Sequence, residues 1–309
     1  MKKKENKNGL KIKNVFCIIS LFLFLSSFNY NLFAQGRELE ELWKNQLDTG
    51  KIDLLKHRYL EVDEGEVLDL LDRQPSFAMY KDNYFITGVP TNNEINKYTA
   101  NAKFQISLRQ RLTKSVLPFN SLLMLTYSQK SFWDIYQKSS PFADNNYNPG
   151  LAIAKPVIYQ NKLVGIGIVA FEHESNGRSD SLESRSWNYL VLTGTYFYNL
   201  HFTIQFKIWP GWAGSDNPDL HDYRGYGLIA VNYRSLNDRF WITAIINPRK
   251  GFGNANTQVE LNFKINSKAN QYLFLQWYNG YGESLLKYRE YTSMIRMGVC
   301  LKPPLRNLN

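Results

Sequence analysis

From residue 76 onward, apolar and polar positions alternate with a period of two. Val259, Leu261, Phe263 and Ile265 interleave with Gln258, Glu260, Asn262 and Lys264. Phe104, Ile106 and Leu108 interleave with Lys103, Gln105, Ser107 and Arg109. Alternation of this kind is a strand with one apolar and one polar face. It predicts about twelve strands, at roughly 76–88, 101–112, 119–132, 147–159, 162–175, 184–198, 201–209, 223–234, 239–248, 255–265, 270–280 and 289–301. Most run nine to fifteen residues. Globular strands centre on ~5–6 residues, whereas a tilted strand crossing a bilayer needs ~9–11. Upstream, residues 37–73 switch to helical spacing, with Leu39 and Leu42, then Val67, Leu68, Leu70 and Leu71, in a polar context.

The connections sort into two kinds. Those at 160–161, 199–200, 236–238 and 266–268 are short, and that at 113–118 is somewhat longer. The alternate ones, such as 133–146 and 210–222, are long. Short turns at one end and long loops at the other describe an outer-membrane barrel. The predicted fold is therefore all-β: a 12-stranded antiparallel transmembrane β-barrel with a short, partly helical N-terminal segment. An even strand count puts both chain ends on the periplasmic side. A soluble β-sandwich or lipocalin-like barrel is the competing architecture; the long strands and loop asymmetry argue against it.

The N-terminus changes the picture of charge and compartment. Six lysines and one glutamate precede Val15, and a fourteen-residue apolar run follows over 15–28, with Leu32, Phe33 and Ala34 before Gln35. That is the pattern of a secretory signal peptide over 1–34. The run is too short to span a membrane comfortably, and Cys17 lies inside it, which argues against a lipoprotein. Without these residues the formal charge falls from +10 to +5, and nothing in it points to nucleic acid. Only Cys300 remains, which excludes an intramolecular disulfide and a Cys-based zinc cage. Seven Trp, twenty Tyr and nineteen Phe exclude disorder and suit interfacial aromatic girdles. The expected organisation is a signal peptide (1–34), a periplasmic segment (35–75), the barrel (76–302) and a short tail (303–309). A tail beyond Leu301 is unusual, because such barrels commonly end on an aromatic residue.

One strand carries candidate chemistry. His173 and Ser175 share a face with Val169 and Phe171, while Glu172 and Glu174 lie on the other. If the apolar face meets lipid, two polar groups stand on it near the outer rim, which costs free energy unless they are paired. Centring the hairpin near Asp180 and Ser181 brings His173 opposite Asn188, on the apolar parity of the next strand with Leu190 and Leu192. Cross-strand Cβ atoms are ~4.5–5.5 Å apart, so a hydroxyl, an imidazole and a carboxamide converge: a nucleophile, a base and a group that orients the base. A one-residue slip would turn Asn188 inward. His57, His201 and His221 have no comparable setting and read as surface or turn residues.

At these residues the sequence resembles the outer-membrane phospholipase A family. YSQKS at 127–131, SPF at 140–142 with NYNP at 146–149, HESNGRSD at 173–180, SRSWN at 184–188, DNPD at 216–219 and GYGES at 280–284 look like family segments in family order. The resemblance implies a twelve-stranded barrel that hydrolyses acyl esters of phospholipids with calcium and is active as a homodimer. Carried over, Ser175 is the nucleophile, His173 the general base and Asn188 the orienting group, with the Gly177 amide helping to bind the oxyanion. Calcium falls to Arg178 and Ser184 of one subunit and Ser140 of the facing one. The chain departs from the family pattern twice. Glu174 stands where Asp is usual, and the stretch 180–184 is one residue longer, so Ser181 and Glu183 are alternatives to Ser184. The competing function is a passive pore or adhesive barrel that keeps the scaffold without catalysis.

Overall fold

The structure, a computed structural model, describes residues 63–179, 183–199, 201–235, 239–266 and 270–303. The alternating segments form β1 (Phe77–Met79), β2 (Asn83–Pro90), β3 (Asn101–Arg111), β4 (Leu122–Trp133), β5 (Phe142–Tyr159), β6 (Lys162–Ser175), β7 (Ser186–Phe197), β8 (Phe202–Ile208), β9 (Gly211–Ala213), β10 (Gly227–Arg234), β11 (Phe240–Pro248), β12 (Ala255–Lys264), β13 (Gln271–Gly280) and β14 (Thr292–Leu301). Sequential antiparallel pairing closes on itself: β14 pairs with β2, and β3 with both β2 and β4. Among the described residues this is a ring of twelve staves, the expected barrel. β1 and β9 are not extra staves. β1 continues the β2 stave against β3, interrupted at Tyr80–Asp82, where Ser107 accepts from the Tyr80 N–H and the Lys81 N–H. β9 continues β8 against β7, past Trp209 and Pro210.

Two staves start four or five residues away from the sequence reading. β5 starts at Phe142 rather than 147, because Asp144 and Asn146 face a polar lumen and are buried there. Their polarity reads as loop only if the inside of a sheet is assumed to be apolar. β10 starts at Gly227 rather than 223, because residues Leu220–Arg224 make one turn of helix. Gly225 ends that turn at φ 66°, where an added Cβ would strike the Pro248 carbonyl.

The faces divide as a membrane barrel requires. Val169, Phe171, Leu190, Leu192, Phe206 and Ile208 point outward and are about half exposed. The lumen holds Lys103, Gln105, Glu172, Asn232, Glu260, Gln276 and Arg296, all buried. At the short-turn end lies α1 (Glu64–Arg73), within the stretch read as helical. Its Glu66 N–H is capped by Asp63 at 3.1 Å. The Arg111 guanidinium donates to the Asp72 and Gln74 carbonyls at 2.8 and 3.0 Å, and Asp72 accepts from the Ser115 N–H and hydroxyl. The signal-peptide reading and His57 fall outside the described residues.

Candidate active site

The ends of β6 and β7 build the site at the long-loop rim. His173 pairs with Asn188 in the register, and Ser175 with Ser186. The His173 Nδ1 lies 2.8 Å from Asn188 Oδ1. Because an amide oxygen only accepts, the imidazole donates from Nδ1, and Nε2 is left as a proton acceptor. Ser175 is two residues further along the same face, ~6.6 Å away along the strand. Among the described residues its hydroxyl makes no hydrogen bond to His173, a contact that often tightens only with substrate bound. All three stand on the parity of Val169, Phe171, Leu190 and Leu192, on the outside of the barrel wall. The neighbouring strands extend the row with Pro149 and Trp212, each outward and exposed.

Behind the trio, the lumen face is tied down. Glu174 accepts from the Trp187 indole at 2.9 Å and from both Arg224 guanidinium nitrogens at 2.6 and 3.1 Å. Arg224 ends α2 (Leu220–Arg224), so the long 209–226 loop is anchored to the strand carrying His173. A Glu, one methylene longer than Asp, reaches both guanidinium nitrogens. Tyr189 donates to Glu172 at 2.9 Å and accepts from Asn148. His221 lies in this loop, stacked on Tyr226 with centroids 4.5 Å apart, its Nε2 near the Gly211 carbonyl. His201 bonds the Arg234 carbonyl at the opposite end of the barrel. Among the described residues neither hydrogen-bonds to the trio, and both lie in connections between strands, where the sequence reads them as surface or turn residues.

Beyond Ser175 the chain turns. Asn176 accepts from the Arg185 N–H at 3.0 Å and donates to the Glu183 carbonyl at 2.7 Å, closing the loop across its base. Gly177 has φ 66°, and a Cβ there would sit 3.0 Å from the Tyr147 ring. The Arg178 guanidinium pairs with Glu183 and donates to the Ala143 carbonyl at 3.0 Å; a guanidinium has no acceptor, so only the backbone oxygen of Arg178 can ligate a cation. The Ser184 hydroxyl donates to Asp216 at 3.1 Å. Ser140 lies in the 134–141 loop at φ 45°, its hydroxyl donating to the Ile135 carbonyl and its carbonyl accepting from the Trp133 indole. Among the described residues no bond joins Ser140 to Arg178 or Ser184. Ser181 falls outside the described residues. The sequence holds no signal that the Asp216 carboxylate meets Ser184, because that contact joins two loops 32 residues apart.

Opposite, Asp219 holds the 209–226 and 281–291 loops together. It accepts from Arg289 at 2.7 and 2.9 Å and from the Tyr288 hydroxyl. The Arg289 hydrogen bonds lower its carboxyl to about 2, and burial together with Asp219 pushes the Tyr288 phenol up to about 12.

A family model for phospholipase A1 matches residues 71–301. The chain belongs to the phospholipase A1 family. Phospholipase A1 of Escherichia coli K12 is 34% identical over 206 residues, 64% of this chain and 68% of that protein. A putative phospholipase A1 of Neisseria meningitidis is 31% identical over 65% of this chain, and the match spans only 54% of that relative's length. Among solved structures, the outer membrane phospholipase A of Escherichia coli is 28% identical with a TM-score of 0.65, covering 74% of this chain and 99% of that one. A Salmonella typhi outer membrane phospholipase, a dimer with bound calcium, is 27% identical with a TM-score of 0.67, covering 79% and 100%. Phospholipase A1 membership accords with the barrel, which the Escherichia coli structure shares.

Proposed function

We propose that the protein is an outer-membrane phospholipase that hydrolyses acyl esters of phospholipids (A1, A2 and lysophospholipase type) with Ser175, His173 and Asn188. The observation that carries this is the 2.8 Å imidazole–carboxamide bond two residues from a serine, on the wall of the barrel that meets lipid. A channel would have no use for it there. An apolar groove of about 600 Å³ on the same wall, bordered by Ile153, Val169, Leu192, Phe206 and Ile208, begins four residues below His173 and can shelter an acyl chain. A solved variant of the Escherichia coli relative replaces an active-site asparagine by alanine, which supports the role given to Asn188.

In this reading His173 Nε2 takes the Ser175 proton as the hydroxyl oxygen attacks the ester carbonyl. The Nδ1–H bond to Asn188 fixes the tautomer and orients the ring. The Gly177 amide donates to the developing oxyanion, a type of contact worth ~10²–10³ in rate. The imidazolium then protonates the departing alcohol, and water, deprotonated by the same imidazole, releases the fatty acid from the acyl-enzyme. A neutral carboxamide stabilises imidazolium less than a carboxylate, so Asn188 acts chiefly on geometry.

The donors at the loop are oxygens: the Arg178 carbonyl, the Ser184 hydroxyl, the Asp216 carboxylate beside it, and Ser140 from a facing subunit. That set fits a hard cation such as calcium. When bound, calcium would supply positive charge beside the oxyanion. A site completed by a second copy makes homodimerisation the switch for activity, in keeping with the calcium-bound dimer of the Salmonella relative. Signal peptide 1–34 and a periplasmic segment 35–75 complete the proposal for an exported outer-membrane protein.

The test is release of fatty acid from phospholipid by purified protein in detergent. Activity with calcium, loss with a chelator, and loss of at least ~10³-fold in Ser175→Ala with a heat-modifiable barrel are expected. A Ser175→Ala protein as active as its parent would refute the assignment.

A further inference from the structure

His173 has proline as its neighbour on β5. The register Tyr147–Ser175 and Gly150–Glu172 brackets the position, and carried through it sets Pro149 opposite His173. In an antiparallel ladder, directly opposed residues either exchange two N–H···O bonds or none. The His173 carbonyl is bound from the β5 side, so Pro149 and His173 are an exchanging pair. Proline has no N–H, and this pair lacks the bond that should reach the His173 carbonyl. The acceptor is filled instead by a side chain: Asn148 Nδ2 donates to it at 3.0 Å. The same amide donates to the Tyr189 hydroxyl at 2.9 Å, and Tyr189 in turn donates to Glu172. Asn148 is 91% buried, facing the lumen. One amide group therefore ties β6 to β7 from inside the wall, directly behind the His173–Asn188 contact outside it.

The consequence reaches the imidazole. Because the His173 backbone groups point toward β5, the His173–Asn188 pair toward β7 is the non-hydrogen-bonded kind, with Cα atoms only ~4.5 Å apart. That close spacing is what brings imidazole and carboxamide to hydrogen-bonding distance. It lasts only while the His173 peptide keeps its orientation, and with proline across from it the ladder cannot enforce this alone. We infer that Asn148 is a positioning residue, its amide standing in for the N–H that Pro149 lacks and thereby setting the imidazole against Asn188. The inference rests on the reading of Ser175 and His173 as the reacting groups.

The experiment is a double-mutant cycle on the full-length protein in detergent with calcium and a phospholipid substrate. Asn148→Ala is expected to lower kcat roughly tenfold with KM within about twofold, since a small misplacement of a base costs rate rather than binding. Pro149→Ala restores a backbone N–H at the vacant position. With it present, adding Asn148→Ala should leave kcat within about twofold of Pro149→Ala alone, a coupling that general destabilisation would not give. Should Asn148→Ala fail to yield a heat-modifiable barrel, Asn148→Asp, isosteric but without amide hydrogens, takes its place in the same cycle. Full kcat in the Asn148 variant, or an equal loss with and without Pro149→Ala, overturns the proposal. Ser175→Ala is run alongside. If it is inactive, those outcomes speak to Asn148 alone; if it retains the parent's rate, the reading of the trio fails and the positioning role falls with it.

Discussion

At the scale of single residues, the site depends on backbone positions that few side chains tolerate. Gly177 turns the chain away from Ser175 at φ 66° with the Tyr147 ring packed against it. A Cβ there meets both the left-handed penalty, ~1–2 kcal/mol, and a 3.0 Å contact. Gly177→Ala is therefore expected to lower kcat by tenfold or more, through displacement of its amide, while the barrel remains heat-modifiable; steady-state kinetics with a soluble ester would show this. A variant with unchanged kcat would remove Gly177 from the oxyanion site. The alternation of residues along β6 and β7 was enough to put His173, Ser175 and Asn188 on one face, because side-chain direction in a strand follows parity alone. Their bond also needed the register, which the hairpin length supplied. Asn148 was not legible, because its bond to the His173 carbonyl depends on which residue the register sets opposite.

Between elements, the 209–226 loop is held to β6 by a buried ion pair. Arg224 donates two hydrogen bonds to Glu174, and the guanidinium also lies 5.5 Å from the Trp187 ring centroid. Removing one partner of such a pair leaves an uncompensated charge, a cost of ~3–5 kcal/mol. Arg224→Ala should accordingly lower the urea midpoint of the detergent-solubilised barrel and reduce activity together, since Glu174 sits between His173 and Ser175 on the strand. Replacing both Arg224 and Glu174 by apolar residues should recover much of the lost stability. A midpoint unmoved by Arg224→Ala would mean that the pair contributes nothing to the fold. The sequence carried the chain of strands but not this clamp, because Arg224 fell within a segment whose pattern continued as strand.

For the whole molecule, the lumen separates the two functional readings. The 281–291 loop turns inward: Leu285 and Tyr288 are buried, Ser284 and the Leu286 N–H bond Asp144, and the Leu285 N–H bonds Asn146. Glu283 completes the plug against Lys103 and Arg296, at 2.8 Å and at 2.7 and 3.1 Å. Beside them a partly open cavity of about 140 Å³ remains, room for a few waters; the inward loop, with its ion pairs across the lumen, favours an enzyme over a pore. Burial alone would raise the Glu283 carboxyl, but Arg296 and Lys103 outweigh it and hold it at about 2. A carboxyl whose folded pKa lies below its unfolded value of ~4.3 stabilises fully above that value and loses its contribution as pH falls toward 2. The difference is on the order of 3 kcal/mol. Glu283→Gln should flatten the fall in unfolding midpoint between about pH 4 and 2, at the cost of a lower midpoint at neutral pH. If the acid limb of the profile is the same with and without Glu283, other carboxyls govern it.

Period-two alternation, strand length and loop asymmetry determined the barrel, its stave count and the outward face of the trio, because each follows from parity and the thickness of a bilayer. Which charges meet across the lumen and which loop plugs it were decided only by the closed cylinder, and which side chain replaces a missing backbone donor only by the register of β5 on β6. Closure brings together residues more than a hundred positions apart, such as Asp144 with Ser284 and Lys103 with Glu283. A linear pattern records which way each side chain points, but not which residues the curvature of the wall sets face to face.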